Sequence, residues 1–196
     1  MKNNKKIEKL SEVKKNGVTF TPSKLADYLS SKIIKYCDNL SDKIILDPAC
    51  GNGSLLISIS KMSNLSVGKL IGYDTNINYV YETISNIKKI NIDNFEINNV
   101  DFLEKTNHKI DLFSKTEFVE YADIIIANPP YVSTQNLGSK KSQQIANDFG
   151  LKGKVDLYFP FLIGMTNVLK ENGLLGVITS NRYLTTKSGA DIRKFL

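Results

Sequence analysis

The chain has 196 residues and a mass of 22.0 kDa, which suits a single domain. Its 41% hydrophobic and 23% charged residues are ordinary for a globular protein and exclude a wholly disordered or fibrous one. The net charge is +6, and the first 15 residues alone carry +4 of it, six lysines against Glu8 and Glu12.

Residues 1–16 therefore read as a basic, partly disordered tail, with contact to nucleic-acid phosphates as the functional alternative. No apolar run approaches the roughly 18 residues of a membrane span, and the basic start lacks the apolar stretch of a signal peptide. The expectation is a cytoplasmic protein without a membrane partner. Cys37 and Cys50 make no disulfide framework, and His108 is the single histidine. Neither a metal site nor a Ser-His-Asp or Cys-His scheme is expected.

Thr21-Pro22 reads as a helix start, Thr as N-cap and Pro at the first helical position, with a stripe of Leu25, Leu29 and Ile33 running to about Cys37. Strand-like and helix-like segments then alternate. Lys43–Leu46 is a buried strand, followed by a glycine turn and a helix from Ser54 to about Met62. Lys69–Tyr73 is a second strand, with a helix from about Asn76 to Ile90 after it. Phe95–Val100 is a weaker strand and Ala122–Ala127 a strong one. Val132 to Lys154 reads as loop, Val155–Glu171 as a helix, Leu174–Thr179 as a fifth strand, and Thr186 onward as another helix. Such alternation predicts an α/β fold with a doubly wound, mostly parallel sheet, whose ligands sit at the carboxyl ends of the strands.

The polar residues fall at those ends. Asp47-Pro-Ala-Cys-Gly-Asn-Gly-Ser54 follows the first strand. Gly51 and Gly53 permit a tight turn and close approach of a ligand, but the pattern is neither a phosphate loop nor a nicotinamide fingerprint. An acid at Asp47 repels pyrophosphate and attracts a cationic amino group. Asp74 stands 21 residues after Gly53, the spacing at which an acid holds ribose hydroxyls. Asp101 can accept from an adenine amino group, and Phe102 can stack on the ring; a solvated Asp and a core Phe are the plain alternative. Together these loops describe a ligand with an adenosine and an ammonium group, which S-adenosyl-L-methionine satisfies. Asn128-Pro129-Pro130-Tyr131 follows the fourth strand. Pro-Pro leaves rigid carbonyls pointing outward, Asn128 adds an acceptor and Tyr131 a flat face, a set suited to a planar group bearing –NH2.

These residues resemble the catalytic N-terminal part of adenine-specific DNA methyltransferases, the N-6 DNA methylase family of restriction–modification systems. The likeness extends from Gly17-Val-Thr-Phe-Thr-Pro22 through Ile45–Ser54, Asp74, Asp101-Phe102 and Asn128–Tyr131 to Asp156-Leu-Tyr158 and Gly173–Ser180. It implies a Rossmann-like, S-adenosylmethionine-dependent methyltransferase domain over residues 17–196, with about five strands present and the sheet and target-recognition domain incomplete at the C-terminus. It implies cofactor contacts at Thr21 (the methionine part), Asp47, Ala49, Gly51, Gly53, Asp74, Asp101, Phe102 and Pro130, and catalytic roles for Asn128, Pro129 and Tyr131. The implied partners are DNA with a flipped-out adenine and a target-recognition or nuclease domain or subunit. Three other readings stand beside it: a protein-glutamine methyltransferase, an RNA adenine methyltransferase using the same tetrapeptide, and a non-catalytic cofactor-binding or subunit module. Lys140, Lys141, Lys152 and Lys154 are candidates for contact with DNA phosphates.

Overall fold

A computed structural model describes residues 20–37, 39–106, 120–151, 156–185 and 190–195. The basic tail, His108, Lys152 and Lys154 lie outside these residues. The strands are β1 (Ile44–Asp47), β2 (Lys69–Asp74), β3 (Phe95–Asn99), β4 (Ala122–Ala127) and β5 (Leu169–Val177). They form one all-parallel sheet in the order β3-β2-β1-β4-β5. The helices are α1 (Ser23–Ile34), α2 (Ser54–Met62), α3 (Ile77–Lys88), α4 (Phe102–Thr106), α5 (Ser139–Asp148), α6 (Tyr158–Val168), α7 (Arg182–Thr185) and α8 (Ala190–Phe195). Among the described residues no helix is long and apolar enough to cross a membrane.

The sheet is the middle of three layers. Along each central strand the side chains alternate between two cores, the period of two that a strand imposes. Ile45, Leu70, Ile124 and Ile126 pack with Ala26, Ile33, Leu56, Ile59, Val80 and Ile87 of α1, α2 and α3. Leu46, Ile71, Tyr73, Ile125 and Ala127 pack with Phe102, Phe161 and Met165 of α4 and α6. Burial on both faces is why β1 and β4 read as unbroken apolar runs.

The strand order decides where a ligand can sit. From the central β1 the chain winds to β2 and β3 on one side, then returns to place β4 and β5 on the other. The winding direction reverses between β1 and β4, so their carboxyl ends open a crevice between connections that run opposite ways. Asp47 ends β1 and Asn128 follows β4 directly.

Three segments depart from the sequence reading. Thr21 is not the N-cap of α1; that position is Pro22, whose carbonyl accepts from the amides of Leu25 and Ala26. The stretch expected to be loop contains a 3-10 turn (Thr134–Leu137) and α5. Ile145 is the sole buried residue of α5, so no apolar stripe announces the helix. Finally, α6 stops at Val168 and β5 begins at once. Ala122 pairs with Leu169 but Ile124 with Leu174, and the extra residues bulge out at Asn172, which takes a left-handed φ of 61°. Pro160 is tolerated in α6 because it lies in the first turn, where its missing N–H would have no intrahelical acceptor.

Gly164 lets α6 lie against α4: a Cβ there would stand 2.8 Å from Thr106 Oγ1 and 3.1 Å from Phe102 Cε1. Gly164→Ala should therefore lower the unfolding free energy by about 1–3 kcal/mol, the usual cost of overfilling a packed contact. Urea unfolding checks this: the midpoint falls at constant slope, whereas an unchanged midpoint would show that the helices can separate freely.

Candidate active site

The cleft at the carboxyl ends of the strands encloses about 540 Å³, within the range of small-molecule sites. Its walls include Thr21, Asp47, Ala49, Gly51, Asp74, Asp101, Phe102, Asn128 and Pro130, so most of the residues singled out in the sequence converge on one space. Gly53, Pro129 and Tyr131 are not among its lining residues.

The loop after β1 is fixed from several sides. The Cys50 amide donates to the Tyr73 carbonyl (2.9 Å) and the Gly51 amide to Asp74 Oδ2 (2.9 Å). The Thr83 hydroxyl of α3 donates to the Gly51 carbonyl (2.7 Å), and Asn86 Nδ2 to the Asn52 carbonyl (3.2 Å). Gly51 and Gly53 have φ of 53° and 80°, and a Cβ on Gly53 would lie 2.9 Å from the Thr83 methyl group. The loop therefore has little room to move, and it needs glycine at these two places.

Three carboxylates face the cleft, each in a different state. Asp47 is 1% exposed and accepts from the Ala49 amide (3.1 Å). Burial pushes its carboxyl up to about 8, only partly offset by that hydrogen bond, and Asp74 nearby adds to the rise. Among the described residues no cation pairs with Asp47 or Asp74. Asp74 accepts from the amides of Gly51 and Asn76 (2.9 and 2.8 Å); burial still holds its carboxyl above the usual range. Asp101 accepts from the Leu103 amide through Oδ1 (3.0 Å), while Oδ2 lies 3.5 Å from Lys141 Nζ. A floor of this kind disfavours phosphate and suits a ligand with a cationic centre and hydroxyl donors. Among the described residues no cluster of His, Cys, Asp and Glu could hold a metal ion.

Phe102 occupies a different place from the one expected. Its ring is 1% exposed and packs between Tyr73 and Phe161, with centroids 6.3 and 5.6 Å away. It borders the cleft and also belongs to the core. Lys141 is among the residues expected as candidates for contact with DNA phosphates. It reaches from α5 to Asp101 and Glu104 (3.5 and 3.6 Å) and lines the cleft. Sequence reasoning missed Phe20 and Tyr79, an edge-to-face pair 5.1 Å apart that walls the cleft beside Gly51. Phe20 adjoins Thr21, but nothing in the sequence brings it beside Tyr79, which lies 59 residues away on α3.

Asn128 is held at both ends of its amide. Nδ2 donates to Thr21 Oγ1 (3.0 Å), and Oδ1 accepts from the Tyr131 hydroxyl (2.9 Å). The same hydroxyl also meets the Ile178 carbonyl, just beyond β5. A phenol has one proton, so it can satisfy only one of these two acceptors at a time. The Tyr131 ring is 37% exposed and lies 6.0 Å from Tyr158; burial, with Tyr158 beside it, pushes its hydroxyl up to about 12. The Tyr131 hydroxyl thus stands where Oδ1 would meet an incoming N–H donor.

A family model described as the Eco57I restriction-modification methylase matches residues 53–196. The Type II methyltransferase M.BanIII of Aneurinibacillus aneurinilyticus is 40% identical over 200 residues, covering 96% of this chain and 34% of that protein. The chain thus spans about a third of the length of that relative. Among solved structures, the methyltransferase subunit of a type I restriction-modification system from Streptococcus thermophilus superposes with a TM-score of 0.68 at 22% identity, covering 89% of this chain and 37% of that one. A SAM-dependent O-methyltransferase from Thermotoga maritima superposes with a TM-score of 0.55 at 16% identity, covering 85% of this chain and 49% of that one. At these identities the two structures speak for the fold alone.

The Asp47 carboxyl makes stability depend on pH. Its folded-state value of about 8 lies above the ordinary 3.8, so between them the folded chain binds more protons than the unfolded one. Stability contributed by the protonated form is then present below about pH 4 and lost as pH rises toward about 8. Between about pH 5 and about pH 8 the protein should lose a few kcal/mol relative to Asp47→Asn. Urea unfolding of both proteins at the two pH values measures it, and parallel pH profiles would show that Asp47 ionises normally.

Proposed function

Because the chain belongs to the Eco57I restriction-modification methylase family, we propose that it forms the cofactor-binding and catalytic part of a DNA methyltransferase. The enzyme uses S-adenosyl-L-methionine to methylate the exocyclic amino nitrogen of adenine in DNA, within a restriction–modification system. One observation carries this reading: a buried Asp47, with no cationic partner among the described residues, shares its cleft with an Asn128 amide whose oxygen already receives a donor.

On this reading Asp47 receives the ammonium end of the cofactor, and the ion pair repays the desolvation that now raises its pKa. Asp74 keeps lone pairs for ribose hydroxyls after accepting its two backbone amides. Asp101, whose Oδ2 faces Lys141 in the structure, would hold the adenine amino group of the cofactor. Ala49, Gly51, Gly53 and Pro130 shape the walls, Thr21 contacts the methionine part, and Phe102 meets the adenine through its ring edge. When bound, the cofactor supplies a methyl group on a positively charged sulfur.

The target side is built from the Asn128–Tyr131 segment. Asn128 Oδ1 and the Pro129 carbonyl accept the two amino protons of the target base. That orients the nitrogen lone pair toward the cofactor side and stabilises positive charge as it grows on nitrogen. The Tyr131 hydroxyl leaves Oδ1 so that the ring can stack on the flipped-out adenine, a contact worth about 1–3 kcal/mol in other base–aromatic pairs. Partners on this reading are DNA and a target-recognition or nuclease domain or subunit.

The test follows labelled methyl from S-adenosylmethionine into duplex DNA and identifies the digested product. Label recovered as N6-methyladenine is expected. Label that resists nuclease and stays on polypeptide overturns the DNA reading in favour of a protein amide, and label in RNA alone overturns it in favour of RNA. Asn128→Ala should lower the single-turnover rate by on the order of 100-fold or more, as for loss of an oriented transition-state hydrogen bond. Its cofactor affinity should be almost unchanged, and a wild-type rate would remove Asn128 from the reaction.

A further inference from the structure

Asn128 is useful only one way round. Rotating its amide by 180° exchanges the oxygen for the NH2 group, and a donor would then face the donors of an amino group. What sets the direction is therefore part of the machinery. Its contacts on either side are both hydroxyls, Thr21 and Tyr131, and a hydroxyl can donate or accept.

Two directions are open to this chain of hydrogen bonds. In one, Thr21 donates to Oδ1, Nδ2 donates to Tyr131, and Tyr131 donates to the Ile178 carbonyl. Every link is filled, but the amide is reversed. In the other, which the structure adopts, Nδ2 donates to Thr21 and Tyr131 donates to Oδ1. The single Tyr131 proton then lies between two acceptors, Oδ1 and the Ile178 carbonyl, and the Thr21 hydroxyl proton is left over. Among the described residues that proton has no acceptor, although Thr21 is only 9% exposed and lines the cofactor cleft. In the productive direction that proton is therefore open to an oxygen supplied from the cleft.

We infer that Thr21 is a positioning residue that sets the polarity of Asn128: it accepts from the Asn128 amide and donates its own proton to the carboxylate of the bound cofactor. The inference rests on the cofactor reading above. A carboxylate accepts and never donates, so it forces the Thr21 oxygen to face Asn128 as an acceptor. Nδ2 must then turn to Thr21 and Oδ1 to the target. Filling the cofactor site thereby prepares the amide for an amino group, and the coupling is reciprocal: an N–H donor on Oδ1 favours the direction that holds the carboxylate.

The experiment compares S-adenosylmethionine with its decarboxylated form, which keeps the sulfonium and ammonium groups, on wild type, Thr21→Ser and Thr21→Val. Calorimetry should show Thr21→Val binding S-adenosylmethionine roughly tenfold more weakly, the size of one charge-assisted hydrogen bond, with the decarboxylated ligand unaffected. Thr21→Ser should restore the wild-type pattern. In nitrogen-15 spectra the Asn128 side-chain amide, assigned by its loss in Asn128→Ala, should show a nuclear Overhauser contact to the Thr21 methyl that strengthens with S-adenosylmethionine and not with the decarboxylated ligand. This wild-type comparison stands even if Thr21→Val folds poorly. Saturable binding with equal losses for both ligands, or an amide that responds to both alike, overturns the relay alone. Absence of saturable binding of either ligand to wild type overturns the cofactor reading and the relay with it.

Discussion

The parallel pairing of β1 with β4, Ile45 opposite Ile124 and Leu46 opposite Ile125, is the constraint on which the site depends. The two strands are about 80 residues apart in sequence, yet their pairing sets Asp47 and Asn128 at the same edge of the sheet. Both strands are buried on both faces, so a slip of one residue would exchange the two cores and is strongly opposed. The positions of the two chemical halves are thus fixed by apolar packing that takes no part in the chemistry.

With the frame rigid, the polar groups can be held in costly states. Among the described residues, a buried carboxylate has no cation, a tyrosine hydroxyl is claimed by two acceptors and a threonine proton has no protein acceptor, so each leaves an interaction unmade. They lie on one cleft and its rim, and one cationic, carboxylate-bearing ligand would relieve two of them at once. The loop that carries Asp47 is braced by β2 and α3, so the cost does not dissipate through local rearrangement.

The strands were legible in the sequence because burial on both faces leaves unbroken apolar runs, as in Ile124–Ile126. The site loops were legible because the winding of an α/β sheet puts polar residues after strands. What escaped has physical reasons. The α5 helix is polar and buries Ile145 alone, so it offers no apolar stripe to detect, and Lys141 could not be placed over Asp101 without it. Thr21 had the composition of a helix cap, but its hydroxyl is drawn away by Asn128, 107 residues later, and Pro22 takes the cap position. Phe102 was as consistent with core as with ligand, and the aromatic neighbours that decided it, Tyr73 and Phe161, lie far away in sequence. In each case the deciding contact was long-range.

The segment leaving Tyr131 and returning at α6 is clamped at its neck. The Leu157 amide donates to the Val132 carbonyl (2.8 Å), and Ser133 bridges Asp156 in antiparallel fashion. Loop-closure entropy grows only slowly with length, by about 0.6 kcal/mol per doubling. The turns of this stretch can therefore lengthen or shorten in descent without moving β4 or β5, while Lys141 and Ile145 tie α5 to the cleft and the core. Such a neck separates two evolutionary fates: a frame for chemistry, with α5 docked on it, that must stay constant, and the turns around α5 that are free to diversify.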